Sequence, residues 1–309
     1  MFYLEMFILG LEFLFLVVMI LLGVAFYTLM ERSVLGYSQD RSGPNSAGWM
    51  GLIQPFSDGM KLFLSEFIVP VNSNVGMYLL SPCIGFFLSV IMLMLLGWEE
   101  GFMGFKYSFV VMLCISSITS LLIISTGWSS NSCYSLLGGL RVVAQMISYE
   151  VIVALMLMSL IYSVGSMRFE DFSMFHSWGL ILMGFFVMFL IWIISILAEC
   201  NRTPFDLAEG ESELVSGFNV EYGGGLFAFI FLAEYTSMIF MSVLSVYIFF
   251  GVTFYSLKVL LIMYLYLWMR ASLPRIRYDM LMNLAWKFLL MIILMMMMFY
   301  LGFVTLYYV

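Results

Sequence analysis

Long apolar segments dominate this chain and limit what it can fold into. Each of eight segments is long and apolar enough to cross the hydrocarbon layer of a bilayer, which takes about 20 residues of helix. They cover residues 7–29, 77–97, 107–126, 142–164, 178–198, 226–250, 252–269 and 288–309. Only a helix satisfies the backbone hydrogen bonds of such a segment within lipid. We therefore predict an all-α polytopic membrane protein, a single integral membrane domain over residues 1–309 with about eight transmembrane helices.

One boundary between these predicted helices lies inside a continuous apolar run. Residues 226–269 form a run of 44 residues, which is too long for one transmembrane helix. Gly251 and Lys258 indicate where the chain turns, because glycine and a charged side chain both disfavour a lipid-embedded helix centre.

The distribution of basic residues predicts the orientation of the helices. With these spans, nine Lys and Arg residues fall on one side of the membrane and three on the other. The nine are Arg32, Arg41, Lys61, Arg141, Arg202, Arg270, Arg275, Arg277 and Lys287, and the three are Lys106, Arg168 and Lys258. Because the basic side faces the cytoplasm or matrix, we expect both termini on the opposite side. Glu5 and Glu12 precede the first base, so we expect no signal peptide or presequence.

The composition excludes several classes of protein. The chain is 64% hydrophobic and 10% charged with a net charge of -7, which excludes a soluble enzyme and a nucleic-acid-binding protein. Its four cysteines are Cys83, Cys114, Cys133 and Cys200. They lack the spacing of metal ligands, and the single histidine, His176, cannot build a metal site by itself. We expect no metal site in this chain.

Two connections on the basic side, 31–76 and 199–225, are too long to be simple turns. The first contains apolar residues at helical spacing, with Asp58, Lys61 and Ser65 on another face. The apolar residues are Phe56, Met60, Phe63 and Phe67. This pattern predicts a short amphipathic helix on the membrane surface. It serves either as a structural plug or anchor, or as the lining of a ligand site.

Two acidic residues, Glu150 and Glu234, lie inside predicted transmembrane helices. Each is about eight residues from the helix start, or roughly 12 Å deep at 1.5 Å per residue. Arg141 precedes Glu150 by nine positions and therefore lies on the opposite helix face. Carboxylates within a bilayer face protein or water, so these two residues are candidates for a proton relay. The alternative is a hydrogen-bonded glutamate that only fixes helix packing.

The stretch 199–221 is strongly acidic. Its acids are Glu199, Asp206, Glu209, Glu211, Glu213 and Glu221, and only Arg202 opposes them. Apolar residues interleave with these acids, as at Phe205 and Phe218, which favours a folded and buried loop over a solvated one. Together with Glu150 and Glu234, this loop would form a line of carboxylates from the basic side toward the membrane centre.

The loop motifs carry a resemblance that covers essentially the whole chain in order. They are Glu31-Arg-Ser-Val-Leu-Gly-Tyr37, Arg41-Ser-Gly-Pro-Asn45, Gln54-Pro-Phe-Ser-Asp58 with Lys61-Leu-Phe63, Gly127-Trp-Ser-Ser-Asn131 with Leu137-Gly-Gly-Leu-Arg141, Ser148-Tyr-Glu150, the acidic stretch 199–221, and Leu273-Pro-Arg-Ile-Arg-Tyr-Asp279. The sequence resembles the NADH:ubiquinone oxidoreductase chain 1 family. It departs from that family at Ser33, Ser42 and Ser65, where relatives commonly carry lysine at or near the position, so its basic rim is thinner.

This resemblance implies a core membrane subunit of respiratory complex I, without activity as an isolated chain. It implies a ubiquinone-access chamber lined by Glu31, Arg32, Arg41, Trp49, Phe56, Asp58, Phe231 and Arg270. It also implies a proton relay through Glu150, Glu199, Asp206, Glu209, Glu211, Glu213, Glu221 and Glu234.

The resemblance further implies the cofactors, partners and location of the chain. Ubiquinone is the substrate, nothing is bound covalently, and FMN and iron–sulfur clusters belong to partner subunits. Those partners are the hydrophilic quinone-site and iron–sulfur subunits and the adjacent membrane-arm subunits. The expected location is the mitochondrial inner membrane, with both termini in the intermembrane space and an organellar gene. Two other functions stay open from the residues alone, an autonomous proton or ion transporter and an inert anchor for a redox complex.

Overall fold

A computed structural model describes residues 2–96, 106–169, 171–172, 185–206, 217–251 and 253–308. Within these residues every regular element is a helix. The α-helices are α1 (Phe2–Ser38), α2 (Gln54–Leu64), α3 (Val75–Met94), α4 (Ser108–Ser129), α5 (Cys133–Val164), α6 (Phe186–Glu199), α7 (Gly224–Ser245), α8 (Tyr255–Ser272), α9 (Tyr278–Asn283) and α10 (Leu290–Tyr308). Two π-helical segments, Val246–Phe250 and Leu284–Leu289, continue α7 and join α9 to α10. The all-α prediction is confirmed.

Six helical stretches in the described part of the chain are long and apolar enough to cross a membrane. They are Gly10–Ser38, Val75–Met94, Ser108–Ser129, Cys133–Val164, Gly224–Phe250 and Tyr278–Gly302. The predicted fifth span overlaps α6, a shorter apolar helix, and the predicted seventh span overlaps α8, which has 18 residues. The chain is therefore a polytopic membrane protein.

Helix α5 begins earlier than the sequence pattern predicts. It starts at Cys133 rather than at residue 142, and the Ser132 side chain caps it by accepting from the backbone N–H of Ser135. Glu150 therefore lies 17 residues from the start of a 32-residue helix, so the predicted position about eight residues from the helix start is wrong. The glycine pair before Arg141 belongs to a predicted loop motif, Leu137-Gly-Gly-Leu-Arg141. In the fold, Gly138 contacts the backbone at Gly217 and Phe218, so these glycines allow close packing within a helix.

The turn predicted within residues 226–269 is confirmed. The π-helical end of α7 stops at Gly251, whose φ of 68° is a left-handed conformation that favours glycine. Lys258 Nζ then donates to the carbonyl oxygens of Phe250 at 2.6 Å and Gly251 at 3.3 Å. The lysine therefore satisfies carbonyl groups that the helix end leaves without intrahelical partners.

The surface helix predicted in the first connection is α2. It is 11 residues long, it carries Pro55 in its first turn, and none of its side chains is buried by the rest of the chain. It ends at Leu64, and Ser65 is extended, so Phe67 lies beyond the helix and not on its apolar face. Phe56 and Met60 stay exposed on α2, as expected of a helix whose apolar face meets lipid or a ligand.

The core of the bundle is built around α5. Its largest apolar cluster contains Trp192 of α6 and Tyr149 of α5, both fully buried. A second cluster joins Tyr78 of α3 to Phe218 and Tyr222 ahead of α7. Buried serine and threonine hydroxyls in the spans mostly donate to a carbonyl three residues earlier in the same helix, which lets polar side chains lie inside an apolar bundle.

Candidate functional site

An exposed ionic rim joins the end of α1 to α2. Arg32 Nη1 donates to Asp58 Oδ2 at 2.5 Å, and Gln54 Nε2 donates to Asp58 Oδ1 at 3.1 Å. Arg32 thereby ties Asp58 to α1 through one carboxylate oxygen, and Gln54, one turn earlier on α2, holds the other. A third predicted quinone-site residue, Phe56, also lies on α2 and packs edge-on against Phe26 of α1 at 6.2 Å between ring centroids.

The two remaining rim candidates lie in the segment between α1 and α2. Arg41 is exposed, and its Nε donates to Gln39 Oε1 at 3.0 Å. Trp49 is 84% exposed and begins a single turn of 3-10 helix, Trp49–Gly51. A tryptophan this exposed at the end of a membrane bundle offers its ring to lipid, to a ligand or to another subunit.

Glu31 occupies a different environment from its neighbour Arg32. It is 5% exposed, forms an ion pair with Arg270 of α8, and accepts a hydrogen bond of 2.6 Å from Tyr235 Oη. Tyr27, one turn earlier on α1, packs edge-on against Tyr235 at 5.8 Å. Two residues expected at a quinone mouth, Glu31 and Arg270, therefore form the buried ionic contact between α1, α7 and α8.

Arg202 connects this ionic contact to a second carboxylate. Its guanidinium carbon lies 4.5 Å from the centroid of the Tyr235 ring, and its Nη2 lies 3.7 Å from Glu234 Oε2. Guanidinium groups stack on aromatic rings while pairing with carboxylates, so one side chain contacts both neighbours on α7. Glu31, Tyr235, Arg202 and Glu234 are thus consecutive members of one buried cluster.

A cavity of about 110 Å³ lies between α3, α4, α7 and the end of α6. Both Glu199 and Glu234 line it. Its other polar lining is Ser81, Ser89, Thr119, Thr126, Asn201 and Ser237. A cavity needs only about 10–15 Å³ of such volume per water molecule, so this one has room for several. Water in it would contact two carboxylates that no direct hydrogen bond joins.

Glu150 is the acid that follows Glu199 in space, on the neighbouring helix α5. It is half-buried on α5 and accepts a hydrogen bond of 3.2 Å from Ser116 of α4. Its charge acts on Glu199, which is half-buried and whose Oε2 is buried without a hydrogen-bond partner among the described residues. The two acids are therefore electrostatic neighbours, so a proton gained by one changes the proton affinity of the other.

The two ends of the acidic stretch are anchored differently. Asp206 is buried and accepts from Arg275 Nη2 at 2.9 Å, so it pairs with the connection that follows α8. Near the other end, Tyr78 Oη donates to the backbone oxygen of Glu221 at 2.6 Å and its ring stacks on Tyr222 at 4.3 Å. Burial raises the pKa of the Tyr222 hydroxyl, so this phenol stays neutral.

Four of the predicted site residues have other placements. Glu209, Glu211 and Glu213 lie outside the residues that the structure describes. Phe231 is half-buried on α7, and its ring lies 4.4 Å from that of Phe227 one turn earlier. It is not among the residues that line the two cavities containing Glu31, Glu199 or Glu234.

Several residues in the site were not assigned a role from the sequence. They are Ser116, Gln145, Arg202, Tyr235 and Arg275. Arg202 carried a signal, since it is the only base within the acidic stretch, and Tyr235 follows Glu234 directly. The other three have no distinctive sequence context, and their partners in the site lie far away along the chain.

Metal-ligating residues are not clustered in the described part of the chain, where no three His, Cys, Asp or Glu side chains are placed to hold an ion. All four cysteines are free, and only Cys200 is buried. Burial and the nearby charge of Glu199 raise the pKa of the Cys200 thiol, which makes it a neutral packing residue. His176 lies outside the described residues.

Comparison with known proteins gives a consistent result. A family model described as NADH dehydrogenase matches residues 11–301. The NADH-ubiquinone oxidoreductase chain 1 of Aedes aegypti is 51% identical over 278 residues, which cover 89% of this chain and 89% of that protein. The chain of the same name from Locusta migratoria is 47% identical over 302 residues, covering 96% of each, and that from Branchiostoma lanceolatum is 48% identical over 272 residues, covering 87% of each.

Proposed function

Because the chain belongs to the NADH-ubiquinone oxidoreductase chain 1 family, we propose that it is the membrane subunit of complex I that admits ubiquinone and begins proton coupling. The isolated chain performs no redox step. FMN and the iron–sulfur clusters reside in partner subunits, and electrons reach ubiquinone from there. The role of this subunit is to hold the quinone headgroup near a series of ionisable residues.

The observation that carries this proposal is the continuity of the buried polar cluster. It runs from Glu31 and Arg270 through Tyr235 and Arg202 to Glu234. From there the cavity leads to Glu199, whose charge interacts with that of Glu150. Buried ionisable groups within a membrane protein mark pathways for protons or ions, because burying them has no stabilising purpose that apolar residues would not serve better.

The rim supplies the other half of the proposal. Arg32 is exposed and Asp58 is half-buried beside the apolar face of α2, so charged and apolar surfaces meet at this place. Ubiquinone has the same division, with a polar headgroup and a long apolar tail. We infer that the tail enters beside α2 while Arg32, Arg41 and Asp58 orient the headgroup, with Trp49 and Phe56 as apolar wall.

The proximity of rim and cluster suggests the coupling step. Arg32 and Glu31 are adjacent on α1, one facing the rim and the other the buried cluster. Reduction of the quinone takes up protons and changes the charge next to the rim. That change acts on the Glu31–Arg270 pair through direct electrostatics and shifts proton occupancy along the carboxylates.

The test is proton pumping by complexes that carry Glu150→Gln or Glu234→Gln, reconstituted in liposomes. We expect fewer protons translocated per NADH oxidised, because each variant keeps the shape of the side chain but removes a proton-binding site. Glu66→Gln is the matched control, since Glu66 is exposed after α2 and outside the cluster. An unchanged ratio in both cluster variants would remove these residues from the relay.

Quinone binding is tested separately at the rim. Asp58→Ala and Arg41→Ala are expected to raise the KM for a short-chain ubiquinone while the amount of assembled complex stays the same. A wild-type KM in both variants would favour an inert anchor. Proton conduction by the purified chain in liposomes without partners would favour an autonomous transporter.

The location is also part of the proposal. We infer an inner mitochondrial membrane protein with both termini in the intermembrane space, supported by the nine-to-three division of basic residues and by membership of the NADH-ubiquinone oxidoreductase chain 1 family. A protease added to intact mitoplasts is expected to remove an epitope tag from the C-terminus. Protection of that tag until the inner membrane is opened would contradict this orientation.

A further inference from the structure

A single side-chain amide ties both ends of the segment that carries Glu199 and Asp206. Gln145 Nε2 donates to the backbone oxygen of Ala198 at 2.8 Å and to that of Phe205 at 2.9 Å. Ala198 immediately precedes Glu199, and Phe205 immediately precedes Asp206. We propose that Gln145 is a positioning residue for the proton relay, holding these two acids at a set distance from Glu150 on its own helix.

The chemistry of this contact determines its orientation. Both acceptors are carbonyl oxygens, so only the amide NH₂ can face them, and its two N–H bonds are both used. A flipped amide would place an oxygen against two oxygens. Gln145 is 0% exposed, so water cannot replace the bonds without opening the bundle. The side chain therefore has one favourable arrangement, and that arrangement joins the two carbonyls.

Gln145 and Glu150 lie on the same helix, α5, so the contacts of Gln145 also position the segment relative to Glu150. Glu150 lies five residues later on the same helix, about 7.5 Å along its axis at 1.5 Å per residue. A rigid helix thus carries Glu150 and the tie together. Since the charges of Glu150 and Glu199 interact, their separation determines how strongly protonation of one affects the other.

Two other hydrogen bonds of the segment lead to a different part of the fold. Arg275 holds the Asp206 carboxylate, and the backbone N–H of Ile276 donates to the Pro204 oxygen at 3.0 Å. Both contacts join the segment to the connection after α8. The hydrogen bonds of Gln145 instead join the segment to α5, the helix that carries Glu150, where the Tyr149 ring also lies 6.2 Å from that of Phe205.

This inference rests on the proposed proton relay, and the experiment separates the two. Complexes carrying Gln145→Met, which keeps the side-chain length but has no donor, are compared with Glu199→Gln and Asp206→Asn. We expect Gln145→Met to reduce ubiquinone-reductase turnover per assembled complex at least tenfold and to lower the protons translocated per NADH. Small misplacements of reacting groups produce losses of this size.

A second variant gives a signature that a packing role would not. Gln145→Glu can donate one hydrogen bond when its carboxyl group is protonated and none when it is ionised. Its turnover per assembled complex is therefore expected to recover as the pH falls from 8 to 6, relative to wild type, whereas Gln145→Met does not recover. Met156→Ala, a buried truncation on α5 away from the segment, is the control and should reduce assembly while keeping wild-type turnover.

Each outcome decides between the hypotheses. If Glu199→Gln and Asp206→Asn leave the proton ratio unchanged, the proposed relay fails whatever Gln145 does. If they lower it while Gln145→Met behaves as wild type per assembled complex, only the positioning role fails. Absence of assembled complex in both Gln145 variants, with Met156→Ala assembling, would make Gln145 purely structural and would also overturn the inference.

Discussion

Replacing Arg270 by methionine tests how strongly the buried ion pair holds α8 against α1. The side chains of Arg270 and Glu31 are 28% and 6% exposed. Removing one partner of a buried pair costs about 3–5 kcal/mol, because the other charge stays buried. We expect the low end, about 3 kcal/mol, since Arg270 keeps some contact with water and Tyr235 still donates to Glu31.

This magnitude predicts a measurable local opening. Since each 1.4 kcal/mol is a factor of ten, a loss of about 3 kcal/mol raises the population in which α8 separates from α1 about a hundredfold. Hydrogen–deuterium exchange of the α8 backbone amides in the assembled complex measures that population. The amides of residues 262–270 are expected to exchange faster by this factor in Arg270→Met.

Two controls identify the cause. Glu31→Gln combined with Arg270→Met removes the unpaired charge, so exchange should return most of the way to wild type. Arg32→Met breaks the pair with Asp58, whose partners are 54% and 35% exposed, and such surface pairs contribute about 0.2–1 kcal/mol. Its effect should stay below about fivefold. Exchange in Arg270→Met within threefold of wild type would refute the argument that this pair is energetically buried.

Three further predictions follow from packing and burial. Gly138→Ala would place a Cβ 2.9 Å from backbone atoms of Gly217 and Phe218, and such overpacking costs about 1–3 kcal/mol. The complex that carries it should therefore inactivate at a lower temperature. Gly59→Ala is the control, because its Cβ would lie in open space and should leave that temperature unchanged. Tyr78→Phe removes the 2.6 Å hydrogen bond to the backbone oxygen of Glu221, which contributes about 0.5–1.5 kcal/mol. Hydrogen exchange of the backbone amides around residue 222 should become about two- to tenfold faster. An unchanged exchange rate would show that ring stacking alone holds this segment. Because burial raises the pKa of the Cys200 thiol, this thiol should stay neutral and should not react with iodoacetamide from pH 7 to pH 9 in the native complex. Labelling of Cys200 that increases with pH before the complex denatures would contradict this.

Predictions that depend on local pattern agree well with the structure. Hydropathy located the helices, and the turn at Gly251 follows from a glycine within an overlong apolar run. The surface helix was found from apolar spacing, although its end at Leu64 was not. The start of α5 was misplaced because Gly138 and Gly139 resemble a connection, and only the packing of Gly138 against Gly217 shows why a helix uses them.

Within the candidate site, too, some residues could be predicted from the sequence and others could not. Glu150, Glu199 and Glu234 were selectable from the sequence because carboxylates in apolar segments are conspicuous. Their partners were not, since Ser116, Gln145 and Tyr235 are common residues whose importance depends on what lies opposite them.

The sequence alone determines that this chain is a helical membrane protein, because a bilayer requires every spanning segment to satisfy its backbone within itself, a property of about 20 consecutive residues. Tertiary structure alone decides which charges meet. Glu31 accepts from Tyr235 across 204 positions of sequence, and Gln145 reaches Phe205 across 60. Such contacts depend on how whole helices pack and rotate, and no local pattern of residues specifies that geometry.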